Sequence, residues 1–426
     1  MGAKIFPLRE VLRSISDVAL ISRSQTGRLD ALRGTRFESS SVRINRDSRA
    51  DPLKLILFAN TDWYLYNFRR SLAAALRESG HDILLVSPPG PYGEKLQSLG
   101  FRWIEAPMDR RSLNPISELA LLAWLWRLMR KEQPDIVHGF TIKCAVYASL
   151  IGRLVKAGRI NAVAGLGYVF VNNSIKARVL RPSLRLLMRV AFGGPKARLI
   201  LQNPDDVQLF EKAGIVGLEQ IRLLRGSGVD CQRFRPPSGD SDASAPLRVV
   251  LAARMLWDKG IGEFVEAARI LKAEGRPLRF VLAGVPDPGN PAAIPEEALL
   301  AWQAEGLVEW LGHVADMPKL LAEADMIVLP SYREGLPKSL IEGAACARPL
   351  ITTDVPGCRE VVTNGVDGLL VPVRDAQALA RAIAQLQDNP TLARRLGQAA
   401  REKALAEFDE RFVIQQTLAV YYEIAR

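Results

Sequence analysis

The chain has 426 residues, enough for two or three domains that each bury a core of their own. Apolar residues make up 48% and charged residues 24%, which excludes a disordered chain and a low-complexity array. There are 57 Lys and Arg against 46 Asp and Glu, so the net charge is +11.

Sequence features of secretion, membrane spanning and zinc binding are absent. The longest apolar stretch, around Leu119 to Met129, is interrupted by Arg127 and falls short of the ~18 residues that a transmembrane helix needs. The N-terminus lacks the apolar stretch of a secretory signal. Four cysteines lie far apart, without metal-ligand or disulfide spacing, so we expect a cytoplasmic protein in which they are small core residues. They are Cys144, Cys231, Cys346 and Cys358.

Residues 1–50 are predicted to be a basic, flexible tail. They contain ten basic and five acidic side chains, are rich in Arg and Ser, and have no sustained periodicity. A short helix near Leu8 to Ile21 is the only element that their pattern favours.

From Leu53 the pattern changes to alternating strands and helices. The run LKLILFA is typical of a buried parallel strand, and Tyr64 to Ser79 has helical periodicity. Such alternation implies right-handed crossovers and a parallel sheet that helices cover on both faces. The further strands predicted in this unit are Asp82–Ser87, Arg102–Ala106, Asp135–His138, Ile160–Ala164 and Arg198–Leu201.

Residues 151–200 contain ten Lys or Arg and no Asp or Glu. Arginines recur there at three- and four-residue steps beside apolar residues, which predicts a basic amphipathic helix. Such a helix suits an anionic membrane surface, and an ordinary solvated helix face is the alternative. Nucleic acid is not an expected partner, because no nucleic-acid-binding motif accompanies the charge. The helix-face residues are Arg178, Arg181, Arg185 and Arg189, beside Leu180, Leu184, Leu187 and Val190.

A segment rich in Gly, Pro, Ser and Asp, residues 226–246, joins this unit to a second strand–helix series. Two such units leave a cleft at the carboxyl ends of their strands, where ligands bind. We expect an amphipathic helix near Glu410 to Ile424 to pack back on the first unit. The strands predicted in the second unit are Leu247–Ala253, Arg279–Ala283, Val308–Trp310, Met326–Leu329 and Leu350–Thr353.

The most informative motif is the stretch LPSYREGLPKSLIE, which contains Glu334 and Glu342. It predicts a loop after a strand and then a helix that starts near Pro337, and helix N-termini suit phosphate or sugar oxygens. In an unbroken helix the two carboxylates would be about 12 Å apart, more than the ~5–9.5 Å of a glycosidase pair. They therefore suit two groups of one elongated ligand, unless they are incidental acids of an ordinary helix.

A second motif, LAARMLWDKGIGEF, places Arg254 at a strand end and Lys259 before a helix. An unpaired pair of cations there can neutralise a departing diphosphate, which is the electrostatic help that sugar transfer from a nucleoside diphosphate requires. Gly260 permits a close backbone approach. A surface ion-pair role is the alternative for both cations.

On these motifs the chain, from Leu53 to Arg426, resembles the large family of retaining glycosyltransferases with the two-Rossmann-domain GT-B fold. LGHV, GVDCQRF and PGCREVVTNGVDGLLVP complete the resemblance to the family. The stretches NTDWYLYNFR, FTIKCAVYASL, GLGYVF and QNPDDVQLF are similar to bacterial enzymes that extend lipid-linked oligosaccharides for capsule, O-antigen or glycoprotein glycans.

The resemblance implies a role for each motif residue. Arg254 and Lys259 bind the donor diphosphate, and Glu342 binds the ribose hydroxyls. The donor sugar is held by Glu334 and by the backbone of the next two residues, Gly335 and Leu336. The nucleotide base is read at Gly312 and His313. His138 matches the family's catalytic histidine near the reacting sugar, although a structural histidine after a strand is the alternative.

The chain departs from the family pattern where the first strand ends. Asn60-Thr61-Asp62-Trp63 stands in place of a glycine-rich turn, and Gly226-Ser227-Gly228 replaces the usual Asn-Gly at the junction. We expect Asp62, Asn67 and Arg69 to contact the acceptor.

The sequence thus predicts an α/β GT-B protein with two Rossmann-like domains facing a central cleft. Residues 51–228 form the acceptor domain, residues 229–409 form the donor domain, and the helix 410–426 packs back. The expected enzyme moves a sugar from a nucleoside-diphosphate donor, a UDP-sugar by family habit, to a lipid-linked saccharide. Retention is implied by the resemblance, and neither a metal nor a cofactor is expected.

Three other functions remain open. A glycosyltransferase that acts on a small metabolite shares the donor motifs. A dinucleotide-dependent oxidoreductase shares the alternation but would need a G-x-G-x-x-G turn after the first strand. A non-catalytic membrane scaffold is the third, although the four charged motif residues count against it. For the favoured reading, we expect a peripheral protein on the inner face of the cytoplasmic membrane.

Overall fold

A computed structural model describes residues 52–110, 112, 114–163, 175–237 and 245–425, with only the backbone given for 175–180. Two parallel sheets organise this part of the chain. The first sheet contains β1 Lys54–Phe58, β2 Asp82–Ser87, β3 Arg102–Glu105, β4 Ile136–Phe140, β5 Gly158–Ala162, β6 Ala197–Leu201 and β7 Ile221–Leu223. The second sheet contains β8 Leu247–Ala252, β9 Leu278–Ala283, β10 Glu309–Trp310, β11 Met326–Leu329, β12 Leu350–Thr353 and β13 Leu369–Val371.

Both sheets reverse their strand order in the middle. The first has the order β3-β2-β1-β4-β5-β6-β7, and the second has the order β10-β9-β8-β11-β12-β13. Leu55 pairs with Ile136 across the first reversal, and Ile327 pairs with Val250 across the second. In open α/β sheets this reversal leaves a ligand crevice at the carboxyl ends of the two central strands.

Helices follow most strands. Three helical segments connect β1 to β2: Asp62–Tyr64, the π-helical turn Leu65–Arg69, and α1. The numbered helices, α1 to α14, are divided between the two domains. They are α1 Arg70–Glu78, α2 Gly93–Ser98, α3 Pro115–Glu132, α4 Ile142–Leu154, α5 Ile175–Phe192, α6 Pro204–Lys212, α7 Ile261–Ala273, α8 Glu296–Ala304, α9 Met317–Ala322, α10 Lys338–Ala345, α11 Cys358–Val361, α12 Ala376–Asp388, α13 Pro390–Lys403 and α14 Glu410–Ala425.

The first sheet is buried between two helical layers. Helices α1, α2 and α14 cover one face, where Leu76 and Tyr421 pack on Leu55 and Ile136. Helices α3 to α6 cover the other face. Strand residues are buried on both faces because crossover helices lie on both sides, which explains the continuous apolar runs of the sequence.

The second sheet is covered in the same way. Phe264 of α7 and Ile383 of α12 lie in the core on one face. Leu340 of α10 and Phe408, in a π-helical turn after α13, lie in the core on the other face. The predicted α/β architecture of two parallel sheets is confirmed.

The structure differs from the predicted strands at the sheet edges and in β5. The sequence analysis omits β7 and β13, which are edge strands of three residues each. It places β5 two residues too late, because buried Arg159 interrupts the apolar run. The guanidinium of Arg159 donates to the carbonyls of Ala191 and Gly193, so its charge is satisfied inside the domain.

Several expectations concern residues outside the described part. They are the tail with its helix near Leu8 to Ile21, the GLGYVF stretch, and the side chains of Arg178 and Leu180. Among the helices that the structure describes, none combines the length and apolar character needed to cross a bilayer.

Candidate active site

The cleft lies where the carboxyl ends of the two sheets meet. Arg254 follows β8, and the loop 330–337, which we call the donor loop, follows β11, so both lie at the reversal of the second sheet. Contacts from the first domain reach the same region. Arg110, after β3, pairs with Asp287, after β9, at 2.7 Å. The candidate site is therefore built by loops of both domains.

Both predicted diphosphate ligands lie at this reversal, and each is paired with a carboxylate. Arg254 is 57% exposed, and its Nη1 lies 2.8 Å from Oδ2 of Asp287. Lys259 is largely buried, and its Nζ lies 2.5 Å from Oε1 of Glu334. Lys259 is thus held against the donor loop and Arg254 against the loop after β9, each by a carboxylate that an incoming diphosphate can replace.

Gly260 fixes the position of Lys259. It has a left-handed backbone, with φ of +73°, and a Cβ there would lie 2.0 Å from the carbonyl oxygen of Pro330. Only glycine permits this approach between the start of α7 and the donor loop. Asp258, which precedes Lys259, also contacts the donor loop, because Tyr332 N donates to the carbonyl of Asp258 at 2.9 Å.

The segment after β12 packs against the donor loop and restricts its backbone. Glu334 N donates to the carbonyl of Pro356 at 3.3 Å. A Cβ on Gly357 would lie 2.5 Å from the Glu334 carbonyl oxygen and 2.6 Å from that of Gly335. Leu336 packs against Gly226 at the domain junction, where a Cβ would lie 3.0 Å from the leucine. These contacts fix the backbone of the donor loop.

Glu342 lies on α10 and is largely buried. Burial raises the pKa of its carboxyl, and the ammonium of Lys338, at 3.7 Å, opposes this. Because α10 begins at Lys338, Glu334 stands in the loop before the helix. The 12 Å separation expected from an unbroken helix therefore does not apply.

Gly312 and His313 follow β10. In the sheet order, β10 lies on the opposite side of β8, and so of Arg254, from the donor loop after β11. Gly284 N donates to the Gly312 carbonyl at 2.7 Å. Gly284 in turn lies against the residue before Arg254, since a Cβ on it would be 1.8 Å from the Ala253 carbonyl oxygen. The predicted base-reading loop is thus joined to the predicted diphosphate-binding loop through one glycine.

His138 is not in the cleft, which corrects the expectation that it lies near the reacting sugar. Residues 136, 138 and 140 of β4 share one face, and that face is covered by α14. His138 is 1% exposed, and its Nδ1 lies 2.6 Å from Oη of Tyr421. Burial, and then the charge of Arg69, lower its pKa well below the ordinary value. The structure makes it a neutral core residue.

The predicted acceptor contacts also need correction. Asp62 is 4% exposed and accepts hydrogen bonds from the backbone of Trp63, Tyr92 and Gly93, at 2.7, 2.6 and 3.0 Å. Its carboxylate therefore fixes the start of α2 and has no freedom to bind an acceptor. This role was missed because it depends on residues thirty positions away.

Arg69 and Asn67 differ in access. Arg69 is 6% exposed, donates to the Tyr64 hydroxyl at 2.9 Å and lies 4.4 Å over the Phe140 ring, so it too is corrected to a core residue. Asn67 is partly exposed and lines a small pocket at the domain junction with Lys338. Its carbonyl accepts from Lys338 Nζ at 2.8 Å.

Two functional candidates, Asp287 and Lys338, are missing from the sequence analysis. Partial burial favours a raised pKa for Asp287, but Arg110 and Arg254 hold that pKa below its ordinary value. Burial lowers the pKa of Lys338, and Glu342 opposes this. Lys338 stands between the two motif glutamates, and that position was a signal in the sequence. Asp287 had none, because it pairs with residues far away in the chain.

Among the residues that the structure describes, no three His, Cys, Asp or Glu side chains converge as metal ligands. The four cysteines are free and buried. Burial raises the pKa of each thiol, for example to about 11 for Cys231, so none has the character of a nucleophile.

Comparison with known proteins covers both domains. A family model described as glycosyl transferases group 1 matches residues 246–389. A second, described as glycosyl transferase 4-like, matches residues 54–203. The chain is 28% identical over 374 residues to an N,N'-diacetylbacillosaminyl-diphospho-undecaprenol alpha-1,3-N-acetylgalactosaminyltransferase of Campylobacter jejuni, with 85% of this chain and 96% of that protein covered. It is 26% identical to a UDP-Gal:alpha-D-GlcNAc-diphosphoundecaprenol alpha-1,3-galactosyltransferase of Escherichia coli, with 72% and 80% covered.

Solved structures show the same fold. A glycosyltransferase of Rickettsia africae aligns with a TM-score of 0.70 at 19% identity, over 88% of this chain and all of that one. Anabaena HepE, in complex with UDP and glucose, aligns with a TM-score of 0.70 at 18% identity, over 86% and 98%. The two family models, one over each domain, show that the chain belongs to the group 1 and 4-like glycosyltransferases, and the solved structures show that its fold is GT-B.

Proposed function

We propose that this enzyme moves a sugar from a nucleoside-diphosphate donor, a UDP-sugar, to a saccharide carried on a polyprenyl diphosphate. The transfer would serve the synthesis of capsule, O-antigen or another surface glycan. The observation that carries the donor half is the convergence of Arg254, Lys259 and Glu334 at the reversal of the second sheet. Two cations beside a clamped backbone loop match a diphosphate joined to a sugar.

The residues have separate tasks in this proposal. Lys259 and Arg254 exchange their carboxylate partners for the diphosphate and stabilise the charge that develops as it leaves. Glu334, with the backbone of Gly335 and Leu336, holds the sugar, and Glu342 holds the ribose. The base lies against Gly312 and His313, next to the Arg254 loop.

The lipid-linked acceptor is supported by the relatives. The names of the Campylobacter and Escherichia enzymes both specify a saccharide on diphospho-undecaprenol, and the Escherichia name specifies a UDP-sugar. The alignment with the Campylobacter enzyme covers both domains of this chain. We place the acceptor on the first-domain side of the cleft, where Asn67 lines the pocket at the domain junction.

Retention at the anomeric carbon and independence from metal complete the proposal. Retention rests on the resemblance to the retaining family. Metal independence rests on Arg254 and Lys259, whose charges can neutralise the leaving diphosphate.

We also propose that the layer formed by α3, α4 and α5 rests on the anionic inner face of the cytoplasmic membrane. Its outward surface combines exposed apolar side chains with basic ones. A lipid-linked acceptor requires such proximity, and basic residues near an anionic surface contribute about 1 kcal/mol each. The exposed apolar residues are Ile116, Leu119, Trp126, Leu154, Leu186, Leu187 and Val190. Exposed basic residues of the same layer include Arg127, Arg130, Lys131, Arg153, Lys156, Arg185 and Arg189.

The proposal is tested by incubating the pure protein with a panel of nucleotide sugars and a polyprenyl-diphosphate saccharide. We expect one UDP-sugar to release UDP and its labelled sugar to move into the organic phase on extraction. UDP release whose label stays in the aqueous phase would contradict the lipid-linked acceptor, and adding small hydroxyl compounds to the mixture would then test a small-metabolite acceptor. No UDP release with any sugar nucleotide would contradict the proposed activity.

A further inference from the structure

The first domain contacts the donor loop of the second domain at the start of α6. Nδ2 of Asn203 lies 2.8 Å from the carbonyl oxygen of Gly335. Nη2 of Arg333 lies 2.6 Å from Oδ1 of Asp206. Two residues of the donor loop, Arg333 and Gly335, are therefore held by one helix N-terminus of the opposite domain.

We infer that Asn203 positions the donor loop for the sugar of the nucleotide, with Asp206 as its support. This inference rests on the proposed function, because it assigns the sugar to the 335–336 backbone. It adds a residue of the first domain to the donor site, which the motifs place wholly in the second domain.

The direction of one peptide group is the basis of the inference. No cis peptide occurs in the described chain. In a trans peptide the carbonyl of Gly335 and the N–H of Leu336 point in opposite directions within one plane. Fixing the carbonyl toward Asn203 therefore turns the Leu336 N–H away from α6. Gly357 lies close against the same carbonyl, so the peptide is held between Gly357 and Asn203.

Helix capping alone does not account for the contact. Asn203 is fully buried, and its Oδ1 caps α6 by accepting from Asp206 N at 2.8 Å. Capping uses only this oxygen, and serine or aspartate supplies it equally well. The amide nitrogen makes two further hydrogen bonds. It donates to Oδ2 of Asp206 at 3.0 Å and to the carbonyl oxygen of Gly335. An amide is the cap that satisfies all three partners.

Asp206 depends on the donor loop in return. Its carboxylate is 1% exposed, and burial raises its pKa while Arg333 opposes this. A buried carboxylate needs a charged partner. For Asp206 that partner is Arg333 of the other domain. The ion pair and the Asn203 bond therefore form together, in the arrangement where the first domain meets the donor loop.

The test is Asn203→Ser, which keeps the cap oxygen but is too short to reach Gly335. Affinities for UDP and for the UDP-sugar that the parent turns over fastest are measured by titration calorimetry. We expect unchanged UDP affinity and about tenfold weaker binding of the UDP-sugar, since one hydrogen bond is lost. KM for the UDP-sugar should rise by the same factor. Asn203→Asp also lacks the donor and adds a carboxylate beside Asp206, so it should weaken UDP-sugar binding at least as much.

A matched control exists in α13. Asn389 caps that helix from the same Asn-Pro sequence, by accepting from Leu392 N at 2.9 Å. Asn389→Ser should change neither affinity, and it measures what the loss of a cap amide does to the unfolding temperature. Equal losses of UDP and UDP-sugar affinity in Asn203→Ser, or no loss of either, would overturn the positioning role. If the parent itself binds no UDP, the proposed donor is overturned as well.

Discussion

Arg254 and Lys259 differ in how firmly their carboxylates hold them. Arg254 is more than half exposed, and an exposed ion pair contributes about 0–1 kcal/mol. Breaking its ion pair with Asp287 in order to bind a diphosphate therefore costs little free energy. Lys259 and Glu334 are both mostly buried, so that pair holds the lysine near the donor loop until a stronger anion arrives.

Replacing either cation by alanine should lower turnover sharply. We expect kcat/KM to fall by roughly 10²–10³ in Arg254→Ala and Lys259→Ala, the usual loss for one charge-stabilising donor. UDP release with saturating acceptor measures it. Arg279→Ala is a matched control, because this arginine of the same domain forms a surface ion pair with Glu309. Parent-like turnover in both site variants would mean that the diphosphate binds elsewhere.

His138 should control stability at low pH and leave catalysis alone. Its pKa is depressed in the folded protein and ordinary, near 6.5, in the unfolded chain. Below that value the unfolded chain takes up a proton that the folded protein refuses, so stability falls as the pH falls. We expect the unfolding temperature of the parent to drop more between pH 7.5 and 5 than that of His138→Asn, which keeps an acceptor for Tyr421.

Turnover of His138→Asn near pH 7.5 should match that of the parent. Unfolding curves that stay parallel across the pH range would contradict the neutral core role. A large loss of kcat with an unchanged unfolding temperature would restore the catalytic one.

Residue identity in the donor motif is predictable from sequence, whereas side-chain direction is not. Arg254, Lys259 and Glu334 lie in short stretches after β8 and β11, and the strand order places those two strand ends side by side. His138 also lies at a strand end, but its side chain points toward Tyr421 of α14, which is 283 positions further along the chain. Local pattern carries no information about that contact.

Among the helices, α3 has an outward face unlike that of a soluble surface helix. Ile116 is 78% exposed, Leu119 is 66% exposed and Trp126 is 39% exposed. Their spacing puts them on one stripe, and Arg130 lies over the Trp126 ring at 5.0 Å. The sequence analysis favoured α5 as the membrane element because its charge is more regular, and it overlooked α3, whose buried and exposed faces are both apolar.

The double variant Leu119→Glu with Trp126→Glu should weaken membrane binding. Fully burying one such side chain contributes about 1.5–3 kcal/mol, so we expect at least about a tenfold loss of sedimentation with vesicles of anionic lipid. Leu300→Glu is the control, because Leu300 is 49% exposed on α8 of the second domain. Equal effects of both changes would show that α3 is an ordinary surface.

For the whole molecule, the charged and the apolar contributions to membrane binding should respond differently to salt. The Debye length shortens from about 10 Å at 0.1 M to about 3 Å at 1 M ionic strength. We expect binding of the parent to anionic vesicles to fall as salt rises and to keep a residual part that the α3 variant lacks. Binding that does not change with salt would exclude an electrostatic role for the basic first domain.

The two-domain architecture was predictable because alternation, Gly/Pro-rich linkers and apolar runs are local signals. The join between the domains was not. It is made by pairs such as Arg333 with Asp206 and Arg110 with Asp287, which are 127 and 177 positions apart. No periodicity marks such pairs, and only the folded arrangement of the two sheets brings them into contact.

The return of α14 to the first sheet affects how the protein is made. Tyr421, Leu418 and Ile424 fill the core against strands encoded more than 250 residues earlier. A ribosome therefore releases the second domain's strands before the first domain has its last layer. Until translation ends, apolar strand residues such as Leu55 and Ile136 lack the part of their cover that α14 provides. A chain that terminates before α14 therefore exposes apolar surface, which favours aggregation.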